Sequence, residues 1–270
     1  MSVQHHSQRL NLRQLHAMRE RAEPIACLTA YEYSQARLAD AAGVDVVLVG
    51  DSLGMVVQGH ETTVPVTVED IVYHTQAVAR GLSRAWLIAD MPFMSYVTLE
   101  HALETAACLM QDGGAQMVKL EGDAQQQEIV ASFAAHGIPV CAHLGLRPQL
   151  VHKLGGYRVQ GREDRQAEQM LADALTLQQA GADMLLLECV PSALASRIQK
   201  EVHIPVIGIG AGSGCDGQIL VMHDVLGITA SPPKFTQDFL KGRGSIQEAL
   251  SAYVAAVKSR EFPAAAQSFS

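Results

Sequence analysis

The sequence predicts an α/β fold, a (β/α)8 barrel preceded by one extra helix. Three observations carry this reading. Short apolar runs recur along the whole chain, eight in all, at 25–29, 45–50, 86–90, 117–121, 140–144, 184–189, 205–210 and 219–223. They are rich in Val, Ile and Leu without strict alternation, as parallel strands covered on both faces require. Helix-periodic segments stand between them. Strand then helix, repeated about eight times in 270 residues, reads as a closed barrel, with an open doubly wound sheet as the alternative. No linker-like, low-complexity or repeated segment divides the chain, so residues 1–270 are expected to form one domain. Residues 1–9, which include His5 and His6, read as a mobile tail.

The elements follow in order. Leu12, Leu15 and Met18 are spaced as one face of a helix ahead of the first strand. Segments 31–42, 67–80, 124–136, 192–201 and 245–258 read as helices. Leu99, Leu103, Ala106, Ala107 and Met110 form a core-facing stripe, with Thr98 placed to cap it. Ala167, Met170, Leu171, Ala174 and Leu177 form another, ending at Gly181, where a glycine closes a helix. The run at 219–223 is the least distinct and is compatible with a helix. Segment 145–165 carries Gly145, Pro148, Gly155, Gly156 and Gly161. A long glycine-rich connection of this kind is often a lid or a binding loop.

Charge and cysteine content narrow the function. Lys plus Arg number 20 against 28 Asp plus Glu, a net charge of −8, which argues against nucleic acid as a partner. Hydrophobic residues at 48% and charged residues at 18% describe a globular chain with a sizeable core. The five cysteines are odd in number and none are closely spaced, so neither a disulfide framework nor a zinc knuckle is indicated. A reduced, cytoplasmic protein is expected. The polar first residues lack the apolar core of a signal peptide, and no apolar run approaches the ~20 residues of a membrane span, so no membrane partner is expected.

Ionisable residues close the apolar runs. Asp51 follows Val-Val-Leu-Val-Gly, Asp90 follows Leu-Ile-Ala, and Lys119 and Glu121 end Met-Val-Lys-Leu-Glu. His143 ends Val-Cys-Ala-His, and Glu188 ends Leu-Leu-Leu-Glu. In a parallel barrel these strand ends share one face, the face that carries active sites in this fold. Carboxylates gathered there need a cation. Asp51, Asp90 and Glu121 offer hard oxygen ligands, which suit Mg²⁺. Ser52 can hold a substrate carboxylate or serve a turn or helix cap. Lys119 faces an anion or a developing negative charge, or forms a Schiff base. Gly208, Gly210, Gly212, Gly214 and Gly217 either bind phosphate or form a close turn beside a bulky ligand, the second reading being preferred.

These residues lie in motifs that resemble those of the ketopantoate hydroxymethyltransferase (3-methyl-2-oxobutanoate hydroxymethyltransferase) family. The motifs include Val49-Gly50-Asp51-Ser52-Leu53-Gly54-Met55, Ala89-Asp90-Met91-Pro92-Phe93, Met117-Val118-Lys119-Leu120-Glu121-Gly122 and His143-Leu144-Gly145-Leu146. Gly155-Gly156-Tyr157-Arg158-Val159-Gln160-Gly161-Arg162, Leu187-Glu188-Cys189-Val190-Pro191 and Asp216-Gly217-Gln218-Ile219 continue the match, which spans roughly residues 24–240 in order. The resemblance implies a barrel of the phosphoenolpyruvate/pyruvate-binding type. It implies transfer of a hydroxymethyl group from 5,10-methylenetetrahydrofolate to 3-methyl-2-oxobutanoate, giving 2-dehydropantoate for pantothenate synthesis. It makes Asp51, Asp90 and Glu121 the Mg²⁺ site. Asp51, Ser52, Asp90, Lys119 and His143 become the pocket for the oxo acid, and Glu188 the proton acceptor. It further implies a homo-oligomer, often a decamer. Glu32 stands where the family usually has Asp, which bears on contacts of the first strand's loop. The rival readings are a lyase or mutase acting on a 2-oxo acid without folate, and a binding protein without catalysis.

Overall fold

Alternate residues of each strand face into or out of a closed barrel of eight parallel strands, paired in sequence order with β8 returning to β1. The computed structural model describes residues 9–270. The tail expected over 1–9, with His5 and His6, lies outside them except for Arg9, whose guanidinium donates to Leu82 O at 2.7 Å.

The strands are β1 (Ile25–Thr29), β2 (Val46–Val49), β3 (Trp86–Asp90), β4 (Met117–Glu121), β5 (Val140–Gly145), β6 (Met184–Glu188), β7 (Val206–Ile209) and β8 (Gly217–Leu220). Ahead of them comes the extra helix α1 (Leu12–Glu20). The connections carry α2 (Tyr33–Ala41), α3 (Leu53–Val56), α4 (Val68–Gly81), α5 (Leu99–Ala107), α6 (Gln127–Ala135), α7 (Val151–Leu154), α8 (Asp164–Ala180) and α9 (Ser192–Glu201). After β8 come α10 (Met222–Val225) and α11 (Ile246–Lys258). No helix among the described residues is long and apolar enough to cross a membrane.

Parity divides the core into two parts. Ile25, Cys27, Val46, Leu48, Ile88, Met117, Cys141, Met184, Leu186, Ile207 and Ile219 fill the barrel interior. Their strand neighbours, such as Ala26, Val47, Leu87, Val118, Ala142 and Leu185, meet the surrounding helices. Leu15 and Met18 of α1 join the interior cluster, so the extra helix packs against one end of the barrel. At that end Asp45 is fully buried and accepts from Arg84 Nη2 at 2.7 Å and Lys258 Nζ at 2.6 Å. Asp216 accepts from Arg19 Nε at 3.1 Å and Gln199 Nε2 at 2.8 Å. Burying these carboxylates is tolerated because each is paired.

One expectation needs correction. The eighth strand is Gly217–Leu220, not 219–223. Its first residue must be glycine-small, because a Cβ at Gly217 would lie 2.4 Å from Ile25 O. Met222 instead starts α10, its N–H donating to Thr29 Oγ1 at 3.0 Å, and an apolar run alone does not separate these cases. The 145–165 connection holds a 3-10 turn at Pro148–Leu150 followed by α7. Glu32 has a local role as the N-cap of α2, accepting from the N–H groups of Ser34 and Gln35 at 2.9 and 2.6 Å.

Candidate active site

Inward parity carries Asp90, Lys119, Glu121, His143 and Glu188 to the C-terminal mouth of the barrel. They continue the rows Trp86–Ile88, Met117, Cys141 and Met184–Leu186. Asp51 and Ser52 stand just beyond β2 and line the same cavity, which measures about 630 Å³. All seven residues singled out from the sequence line it.

The register explains the central ion pair. Asp90 and Lys119 are direct partners on β3 and β4, and Lys119 Nζ donates to both Asp90 carboxylate oxygens at 2.7 Å. Asp51 N–H donates to Asp90 Oδ2 at 3.1 Å. Burial works to lower the Lys119 pKa, but the carboxylates of Asp90, Glu121 and Asp51 outweigh it and hold the ammonium charged. Burial and the neighbouring Asp90 carboxylate push Asp51 well above the ordinary range. Burial likewise pushes Glu121 up to about 8.

His143 lies between two carboxylates, its Nε2 3.3 Å from Glu188 Oε2 and its Nδ1 3.5 Å from Glu121 Oε1. Both contacts are wider than good hydrogen bonds, and among the described residues neither ring nitrogen nor Glu121 Oε1 has a hydrogen-bond partner. Burial lowers the His143 pKa, so the ring is neutral near pH 7. Burial raises the Glu188 pKa, and the contact with His143 opposes the shift. Glu188 is partly open to the cavity, with 16% of its side chain exposed, while His143 beneath it is closed off.

Ser52 stands at the start of α3, yet its side chain caps nothing. Its hydroxyl instead meets the buried Tyr31 hydroxyl at 2.8 Å, which removes the helix-cap reading.

Gln149 is a site residue that sequence reasoning missed. It sits in the 3-10 turn after β5 and is 4% exposed. Its Nε2 donates to Asp51 Oδ2 at 3.0 Å and Met91 O at 2.9 Å. Its Oε1 accepts from Tyr96 Oη at 2.5 Å, and its backbone N–H donates to Glu121 Oε2 at 3.2 Å. One residue thus holds two of the acidic groups, Asp51 through its side-chain amide and Glu121 through its backbone N–H, and the side-chain bonds orient the amide. A glutamine in a polar loop has no pattern that could have marked it.

The glycine-rich segment after β7 is a packing device. A Cβ at Gly212 would meet Ser192 Oγ at 2.4 Å, and one at Gly214 would meet Ser196 Oγ at 2.0 Å. The segment therefore lies against the first turn of α9, in keeping with a close turn.

Three buried carboxylates face one ammonium at this mouth. Glu121 Oε1 is orphaned, and burial pushes Asp51 and Glu121 toward neutrality. Such a surplus of hard oxygen donors fits a divalent cation of the Mg²⁺ type. Among the described residues no group of three His, Cys, Asp or Glu side chains is placed to hold a metal ion. Mg²⁺ does not require one, since it is commonly bound through one or two carboxylates and completed by water and substrate oxygens.

The family model for ketopantoate hydroxymethyltransferase matches residues 9–265. The 3-methyl-2-oxobutanoate hydroxymethyltransferase of Alkalilimnicola ehrlichii is 62% identical over 256 residues, 94% of this chain and 92% of that protein. The enzyme of the same name from Halorhodospira halophila is 59% identical over 249 residues, 92% and 90% of the two chains. Among solved structures, a phosphoenolpyruvate phosphomutase from Streptomyces platensis subsp. rosaceus superposes with a TM-score of 0.62 at 14% identity, over 81% of this chain and 84% of that one. A 2,3-dimethylmalate lyase of the PEP mutase/isocitrate lyase superfamily superposes at 0.52 and 18% identity, over 73% and 70%. These two likenesses establish the barrel type and nothing finer.

Proposed function

The chain belongs to the ketopantoate hydroxymethyltransferase family, and from that premise we propose how its barrel mouth carries the reaction. It is a transferase of pantothenate biosynthesis. The acceptor is 3-methyl-2-oxobutanoate, the donor 5,10-methylenetetrahydrofolate, and the products 2-dehydropantoate and tetrahydrofolate, with one water consumed. The observation that carries this reading is Glu188, a mostly buried carboxylate partly open to a cavity that also holds the Lys119–Asp90 pair.

Glu188 takes the C3 proton of the oxo acid. Burial raises its proton affinity toward neutrality, where a general base is most effective. Neutral His143 at 3.3 Å supports the carboxylate without adding a competing charge. Lys119 stands ready as a fixed cation for the negative charge that develops on the enolate, and Ser52 and the Asp51 region bind the oxo acid. Asp51 and Asp90, with Glu121 beside them, would hold Mg²⁺, which when bound supplies Lewis-acid stabilisation of that charge. C3 then forms a bond to the donor's methylene carbon. Water supplies the hydroxyl oxygen, and the C3 proton and the water hydrogens end on that hydroxyl and on the two folate nitrogens released. Leu146, Pro148, Tyr157 and Val159, from the connection after β5, line the cavity and screen it from water.

Exchange of the C3 proton of 3-methyl-2-oxobutanoate with deuterated water tests the base chemistry without the donor. Mg²⁺-dependent exchange supports the reading, and absence of exchange together with absence of product would end it.

Two further outcomes are expected. Gln149→Leu should weaken Mg²⁺ binding by roughly 10–100-fold, the usual cost of losing an outer partner of a metal ligand. Calorimetric titration of the metal reads this directly, and unchanged affinity would remove Gln149 from the account. Borohydride added with the oxo acid should leave no adduct on Lys119, because a Schiff base requires a neutral amine and three carboxylates keep this one charged. A substrate-sized mass gain on the Lys119 peptide would overturn that role.

We also place the enzyme in the cytoplasm as a homo-oligomer, a decamer by family likeness. The exposed apolar side chains Phe93, Met94 and Val97, between β3 and α5, and Leu99 at the start of α5 support self-association.

A further inference from the structure

The cavity extends well past the acidic cluster. At about 630 Å³ it has the size of sites for drug-sized ligands, roughly 300–1,000 Å³, and far exceeds the needs of a small branched oxo acid. Its outer part is built by residues after β8 and by Phe269. Phe235 and Phe269 stand there with ring centroids 6.4 Å apart and planes at 72°. Both rings sit on Gly210, whose φ is +61; a Cβ there would lie 2.9 Å from Phe235 and 3.1 Å from Phe269. Phe269 is also tied to the element that follows Glu188. Its carbonyl accepts from Ser192 N at 2.9 Å and Ser192 Oγ at 3.0 Å.

The same wall carries a buried carboxylate. Asp224 is 7% exposed and its Oδ1 accepts from Thr229 Oγ1 at 2.5 Å, while its Oδ2 receives no hydrogen bond from the described residues. At the rim are two exposed cations, Lys234, whose Nζ donates to Ser268 O at 3.0 Å, and Arg158. Aromatic rings beside an acceptor suit a flat ring system edged with N–H donors. Cations at the exit suit a carboxylated tail.

We infer that Phe235, Phe269 and Asp224 form the seat of a reduced pteridine, with its glutamate tail leaving past Lys234 and Arg158. This rests on the reading that the one-carbon donor is a folate. It assigns a substrate-binding role to residues 224–235 and 269, and it explains why the glycine at 210 cannot carry a side chain.

The test compares wild type, Phe269→Ala and Asp224→Asn in three measurements: calorimetric binding of tetrahydrofolate, KM for 5,10-methylenetetrahydrofolate, and C3 proton exchange of the oxo acid without folate. Both folate constants should rise on the order of tenfold in Phe269→Ala, the scale of one lost aromatic contact, and should also rise in Asp224→Asn. Proton exchange should persist at a rate close to wild type, which certifies an intact barrel. Folate constants unchanged in both variants, or exchange lost together with folate binding, would overturn the assignment. If wild type exchanges the proton but neither binds nor consumes folate, the folate reading itself fails.

Discussion

Glu188→Gln is expected to slow C3 proton exchange by about 10²–10⁴-fold, the contribution of one positioned base. The substitution keeps the shape of the side chain and removes only its ability to accept a proton. The oxo acid and Mg²⁺ should bind as in wild type, because the groups proposed to hold them lie on β3 and β4 and in the loop after β2. In the unsubstituted enzyme the exchange rate should fall as the pH drops, with a midpoint above the ordinary glutamate value of about 4.3, since burial raises the Glu188 pKa and only the ionised form is a base. If Glu188→Gln exchanges at the wild-type rate, the base lies elsewhere. His143, in contact with Glu188, is then the next candidate.

Asp51→Asn should separate metal binding from stability. The Asp51 carboxylate is buried beside the Asp90 carboxylate, and both effects raise its pKa, so its charge is unfavourable in the metal-free protein. Neutralising it should raise the melting temperature of chelator-treated protein. It should also weaken Mg²⁺ binding by more than the roughly 10–100-fold that an outer-shell loss costs. Melting curves with and without Mg²⁺ read both effects, since a ligand that binds only the folded state shifts the midpoint by mass action. A variant less stable without metal, and equally stabilised by it, would contradict the proposed role of Asp51.

Parity made most of the site legible. Once β4 is recognised, Met117 pointing inward forces Lys119 and Glu121 inward as well, and the same counting carries Asp90, His143 and Glu188 to the mouth. Strand boundaries came close for the same reason, because apolar runs in a parallel barrel are bounded by the residues that leave its core. Only three-dimensional proximity marks the remaining site residues. Gln149 reaches Asp51 across 98 positions, Tyr31 reaches Ser52 from the next strand over, and Phe269 reaches the mouth by folding back onto Ser192. None of these residue types signals its contact, and their partners lie on other elements. The eighth strand starts earlier than its apolar run because Gly217 is placed by a close backbone approach, while the apolar Val221 and Met222 beyond it are the N-cap and first residue of α10.

A hydroxymethyl transfer that uses both an oxo acid and a folate is tested most directly by a mass-resolved product assay with 3-methyl-2-oxobutanoate, 5,10-methylenetetrahydrofolate labelled with carbon-13 at the methylene carbon, and Mg²⁺. Labelled 2-dehydropantoate and tetrahydrofolate are expected in equal amounts, with no product when either substrate is omitted. Consumption of the oxo acid with no label in the product would contradict it and move the chain's activity toward the lyase and mutase chemistry that shares this barrel.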